Sequence, residues 1–138
     1  MTWVLDASAA LAWVFPRADP AEAELSRTLL RGMTGREVVV PEIWHLEVLN
    51  ALVTGCRRGV ITEAKVDAFL GRLDALPIRT WEISHRNRKP ALFALAARHG
   101  LSAYDAAYLD LAIQLGAALP TFDRKLAAAR DAAGVPAN

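Results

Sequence analysis

Asp6, Glu47, Asp105 and Asp123 are the residues through which this sequence could do chemistry. Each stands in an apolar frame. Asp6 closes "TWVLD", Glu47 interrupts "PEIWHLEVLNALV", Asp105 lies in "LSAYDAAYLDLAIQLG", and Asp123 ends "AALPTFD". Taking a carboxylate out of water costs on the order of several kcal/mol unless a cation or hydrogen-bond donors replace the water. Asp6 and Asp123 each have a bland explanation as the N-cap of a following helix. Asp105 and Glu47 resist it, because each falls inside a helical pattern where no capping role is expected and Asp is a mediocre helix former.

Clustered carboxylates serve two common purposes: sharing protons, or binding hard divalent cations. With four acids and no compelling His or Cys partner, oxygen ligation of Mg²⁺ or Mn²⁺ fits best. Such an ion suits phosphodiester hydrolysis, where it stabilises both the attacking and the leaving oxygen. Around the acids, Asn50 is spaced i, i+3 from Glu47 and shares its face. Ala103, Ala106 and Ala107 leave room for close approach near Asp105. Asp110 lies five residues beyond Asp105, roughly 140° round a helix, and is expected on the surface or in a salt bridge. His45, His85 and His99 are expected to be packing or helix-end residues. Trp3, Trp13, Trp44 and Trp81 are expected in the core or an interface. The basic clusters "HRNRKP" (85–90) and "CRR" (56–58) are candidates for phosphate contact. Arg124 and Lys125, directly after Asp123, are better placed for it.

The elements that must position these acids alternate. Strands are expected at 2–6, 37–41, 77–83 and 117–122, with a weak fifth in the terminal "VPAN". Helices are expected at 8–15, from Asp19 to Gly32, at 41–59, 62–76, from Lys89 to Gly100, from Ala103 to Gly116, and at 123–134. This order implies an α/β fold around a parallel sheet with right-handed crossovers. Ligands in such sheets bind beyond the carboxyl ends of the strands, where Asp6 and Asp123 fall.

Bulk composition bounds the rest. The 138 residues suffice for one domain spanning 1–138, and 54% hydrophobic with 22% charged describes a folded chain. The 16 basic and 15 acidic residues leave a net charge of +1, which does not announce nucleic acid. Cys56 is the single cysteine, which excludes an intrachain disulfide and a Cys-rich zinc framework. No signal peptide or membrane span is evident, so the expected location is cytoplasmic.

"VLDAS", "LEVLNAL", "LSAYDAAYLDLA" and "LPTFD", in this order, resemble PIN-domain ribonucleases, especially the VapC-like toxins of toxin–antitoxin pairs. The resemblance covers nearly the whole chain. It implies a PIN-like three-layer α/β/α sandwich with a central parallel sheet of four to five strands. It also implies an acidic metal site of Asp6, Glu47, Asp105 and Asp123 holding Mg²⁺ or Mn²⁺, with Ser8, Asn50 and Thr121 orienting the acids or a water. RNA as substrate, a homodimer and a VapB-like antitoxin come with the family. Two short amphipathic helices, with stripes at Leu25 and Leu29 and at Val66, Phe69, Leu70 and Leu73, are expected to leave apolar patches for such partners.

Two enzymatic rivals lack their residues. A haloacid-dehalogenase-type phosphatase needs a second acid two residues after the first, where Ser8 stands. A phosphoacceptor receiver domain needs a paired acid near the first strand and a lysine after the last. The remaining alternative is a catalytically silent PIN-fold module that binds RNA or protein. Such a module has no need of four mutually repelling carboxylates.

Overall fold

Three short parallel strands carry the site, and apolar β-branched runs explain why they lie where they do. A computed structural model describes residues 1–82 and 85–138, the side chains of His85 and Arg86 excepted. In chain order the elements are β1 (Trp3–Val4), α1 (Ala7–Leu11), α2 (Pro20–Gly32), β2 (Val38–Pro41), α3 (Ile43–Arg57), α4 (Glu63–Asp74), β3 (Ile78–Trp81), α5 (His85–His99), α6 (Ala103–Leu115) and α7 (Arg124–Ala132). The sheet order is β1-β2-β3, all parallel, with Trp3 opposite Val38 and Val38 opposite Ile78. Every residue of β1 and β2 is buried. Consecutive burial in a strand means that both faces of the sheet are covered, as parallel sheets require. β3 is the edge and is only half-buried.

The sheet is smaller than the four to five strands expected. Among the described residues the segment expected as the fourth strand forms a single parallel bridge, Trp3 with Ala118. Its backbone nevertheless runs along β1: Ala118 N–H donates to Thr2 O, Val4 N–H to Ala118 O, and Asp6 N–H to Pro120 O at 3.2 Å. Pro120 can accept but has no N–H to return, so the ladder ends there. The terminal "VPAN" contributes one bond, Leu119 N–H to Pro136 O at 2.8 Å, and no strand. The expected strand at 77–83 is confirmed for Ile78–Trp81, while Ile83 lies outside the described residues.

Helix ends follow their local chemistry. Asp19 and Thr62 cap α2 and α4 through their side chains, accepting from Ala21 N–H and Lys65 N–H. Gly116, at φ +59°, ends α6 in the left-handed region that suits glycine, and the chain turns from there into the stretch beside β1. α5 starts four residues earlier than expected and runs through Pro90. Its N-terminal part is tied to α6 by Arg88, which forms a forked ion pair with Asp110. Asp110 is 2% exposed and also accepts from Gln114. It is therefore a buried ion-pair residue, not a surface one.

The apolar stripes on the amphipathic helices mostly join the core. Leu29, Phe69 and Leu73 are buried, and Leu25, Val66 and Leu70 are packed against them. Of the large apolar side chains left to solvent, Leu30 lies on α2, and most of the rest lie on α3 (Leu46, Leu49, Val53), α5 (Phe93) and α6 (Tyr104, Ile113).

Candidate functional site

Asp6 stands two residues past β1: Leu5 N–H still donates to Val39 O of β2, while Asp6 N–H turns to Pro120 O. Asp6 thus occupies the N-cap position of α1, yet its side chain makes no capping bond. The carboxylate, 4% exposed, instead receives two hydroxyls on Oδ2: Ser8 Oγ at 2.6 Å and Thr121 Oγ1 at 2.7 Å. Each hydroxyl is in turn oriented by the backbone. Phe122 N–H donates to Ser8 Oγ at 2.8 Å, and Asp123 N–H donates to Thr121 Oγ1 at 3.0 Å. A hydroxyl has one proton to give, so both protons point at Asp6. The 3.2 Å Ser8–Thr121 contact is then a by-product of their shared acceptor. Burial raises the Asp6 carboxyl above its ordinary pKa, against the pull of these two hydroxyls, and the charge of Asp123 adds to the rise.

Asp123 fulfils the bland reading and leaves room for more. Its Oδ1 caps α7, accepting Leu126 N–H at 2.8 Å, while the residue itself is exposed. Asp105 lies in the first turn of α6, three residues after its N-cap Ser102, whose Oγ accepts Asp105 N–H at 3.1 Å. The expectation of a mid-helix acid is corrected here. Asp105 sits where the positive end of the helix dipole favours a carboxylate. Desolvation nevertheless raises its pKa, followed by the charges of Asp123 and Asp6, while Ser102 and Lys125 pull it down.

Glu47, on the second turn of α3, completes the group. Desolvation raises its pKa first, and the charges of Asp6, Asp105 and Asp123 raise it further. The charge of Asp123 therefore acts on Asp6, Glu47 and Asp105, and that of Asp6 on Glu47 and Asp105, although they come from the N-caps of α1 and α7, from α3 and from α6. Tyr108, absent from the residues anticipated by sequence, holds Glu47: its hydroxyl donates to Oε1 at 2.8 Å. Tyr108 is fully buried, and burial together with the neighbouring Asp6 and Glu47 charges pushes its own pKa far up. It therefore stays a protonated donor. A signal was available, since Tyr108 is three residues after Asp105 on the same helical face, and a buried phenol needs a partner. Asn50, expected beside Glu47, is exposed one turn further along α3.

The donors are all oxygens and anionic, the set that hard divalent cations take. Among the described residues no three carboxylate, imidazole or thiol groups are arranged to hold one ion by themselves. The set fits an ion that rests on one or two carboxylates and keeps water elsewhere, as Mg²⁺ does. Of the basic candidates, Lys125 acts on Asp105 and Arg88 is spent on Asp110. His45 Nε2 is engaged with Thr80 Oγ1 at 2.8 Å, away from the acids.

Fold and site together define an α/β protein with an acidic centre at the carboxyl end of a parallel sheet. The PIN domain family model matches residues 3–132, and the chain belongs to that family. It is VapC-like within it. The chain is 34% identical over 136 residues to Ribonuclease VapC3 of Pyrobaculum aerophilum, covering 92% of this chain and 93% of that one. It is also 34% identical over 129 residues to Ribonuclease VapC3 of Mycobacterium tuberculosis, covering 91% and 85%. A crystal structure of PAE2754 from Pyrobaculum aerophilum matches with a TM-score of 0.71 over 94% of this chain and 84% of that one, at 24% identity. That last likeness is one of fold.

Proposed function

We propose that this protein is a divalent-metal-dependent endoribonuclease that hydrolyses RNA phosphodiester bonds and acts as the toxin of a VapBC-type pair. The observation that carries the reading is the buried Asp6 carboxylate held by Ser8 and Thr121 beside Glu47 and Asp105, whose pKa values burial and the neighbouring acids raise, in a chain similar to two proteins named Ribonuclease VapC3. When bound, Mg²⁺ or Mn²⁺ supplies the charge that draws the scissile phosphate in and stabilises oxygens becoming anionic.

The chain's own residues prepare that chemistry. Asp6 is held as an acceptor by Ser8 and Thr121, and Glu47 by Tyr108. Asp105 and Asp123 lend charge from two helix N-terminal turns. Lys125, whose charge acts on Asp105, is the basic group best placed to meet a substrate phosphate. A silent binding module would retain this repulsion without using it. A VapB-like antitoxin and a homodimer are the partners this reading assigns, and the exposed apolar residues of α3, α5 and α6 are their available surface. No helix of the described residues is long and apolar enough to cross a membrane.

The test is cleavage of structured and single-stranded RNA by pure protein, with and without EDTA, beside Asp105→Asn. Expected are Mg²⁺- or Mn²⁺-dependent products carrying 5′-phosphate and 3′-hydroxyl ends. The variant should lose several orders of magnitude in rate while its metal-free melting temperature stays at or above that of wild type. EDTA-resistant cutting, or 2′,3′-cyclic phosphate products, would sink the proposal.

A further inference from the structure

Arg17 stands in the loop between α1 and α2, and two contacts fix its guanidinium in advance. Its Nε donates to Glu22 Oε2 at 2.7 Å, and its Cζ lies over the Phe122 ring, 4.9 Å from the centroid. Phe122 belongs to the turn that builds the acid site. Its N–H donates to Ser8 Oγ at 2.8 Å, and Ser8 Oγ donates in turn to Asp6 Oδ2 at 2.6 Å. Arg17 is thereby joined to the Asp6 carboxylate through an unbroken set of contacts. Other arginines are engaged elsewhere: Arg27 and Arg31 share Glu24, Arg79 holds Glu37, and Arg88 holds Asp110. Arg36 lies over Trp3, at the amino end of β1.

A side chain anchored this way has a bland use, which is to pin the loop to the turn. That use does not exhaust it. A guanidinium has five N–H donors, and among the described residues only its Nε has an acceptor. The side chain is 36% exposed, so its pair with Glu22 is open to water and adds little to stability. Four donors and a permanent charge are left at the border of a site whose own acids repel a polyanion.

We propose that Arg17 is a substrate-binding residue, whose Nη1 and Nη2 groups hold a phosphate of the RNA strand beside the nucleotide that is cut. The inference rests on the ribonuclease reading above and adds a contact from a different element than Lys125. The planar fork of a guanidinium matches the paired oxygens of a phosphate, and its weakly hydrated charge tolerates an aromatic face. Because Glu22 and Phe122 fix it before RNA arrives, less ordering is needed on binding. Phosphates recur at every nucleotide, so this contact raises affinity without selecting sequence.

Fluorescence anisotropy with a labelled single-stranded RNA of mixed sequence, in EDTA over a series of salt concentrations, tests this without cleavage. Arg17→Gln should weaken binding about fivefold at low salt, the upper range for an ion pair open to water. It should also flatten the slope of log affinity against log salt by about 0.7, the share of one phosphate contact on a single strand. Arg17→Lys keeps the charge and should keep the slope. Glu22→Gln keeps an acceptor for Nε and drops a negative charge, so it should bind no more weakly than wild type. In single-turnover cleavage with Mg²⁺, Arg17→Gln should raise the half-saturating protein concentration more than it lowers the maximal rate. A loop-pinning role alone gives a lower melting temperature with the wild-type salt slope, and that result overturns the proposal. So does equal weakening in Glu22→Gln and Arg17→Gln, or a wild type that binds no RNA at low salt. Failure of the ribonuclease reading looks different: wild type with Mg²⁺ or Mn²⁺ then cuts no RNA, whatever the salt slope of Arg17→Gln.

Discussion

Replacing Tyr108 with phenylalanine removes one oxygen from a fully buried ring, and with it the hydrogen bond that holds Glu47 Oε1 at 2.8 Å. Phenylalanine fills the same space, so no cavity forms and the core should not collapse. A hydrogen bond to a charged group contributes about 1.5–3 kcal/mol. If that energy serves to hold Glu47 in its working orientation, the loss appears in turnover as a fall of about 10–100-fold. The pH profile provides a second readout. The Tyr108 bond lowers the Glu47 pKa, whereas desolvation and the charges of Asp6, Asp105 and Asp123 raise it. Removing the bond leaves only the raising influences, so the acidic limb of the rate profile should move to higher pH. Single-turnover cleavage of a fluorogenic RNA across a pH series, with melting curves taken alongside, measures both. A wild-type rate with an unmoved acidic limb would refute the reasoning. So would a rate that falls only as the folded fraction falls, because Tyr108 would then be a packing residue alone.

Asp123 combines a cap and a charge, and two substitutions separate them. Asp123→Asn keeps a good N-cap and should melt like wild type while losing cleavage; Asp123→Ala should lose cleavage and also about 1 kcal/mol of stability in denaturant unfolding. Asp6, Glu47 and Asp105 have folded pKa values raised above their ordinary 3.8 and 4.5. The folded state therefore binds the extra protons, and the stability present below those ordinary values is lost as pH rises through the folded ones. The metal-free melting temperature should thus decline from mildly acidic toward neutral pH, and less steeply in Asp105→Asn; parallel slopes would show that the acids are not coupled. Asp110→Asn should lower the melting temperature clearly, because it breaks the buried pair with Arg88, with activity falling only in proportion to the folded protein.

Much of this protein is legible along the chain because its determinants are local. The four acids betray themselves by interrupting apolar runs, and most helix limits follow from nearby caps and glycines: Asp19 with Pro20, Thr62, and Gly116. The hydroxyls of Ser8 and Thr121 were placed beside the acids by motif, and the structure sets both on the same oxygen of Asp6. What only the tertiary structure decided are the relations between distant segments. Sequence periodicity turns Asp110 away from Asp105 but cannot say what waits there. Packing α5 on α6 supplies Arg88, so the residue is buried rather than solvated. Capping preference assigns Asp6 to its own helix, but Pro120 brings Thr121 alongside, and two hydroxyl donors outcompete the helix N–H groups for its carboxylate. Tyr108 is legible as a buried phenol in need of a partner, but only the folded chain gives its hydroxyl an acceptor in Glu47, 61 positions away in the chain. Hydrophobic spacing reports which face of an element is buried; which polar group faces a buried donor depends on the docking of separate elements, and no local pattern encodes that.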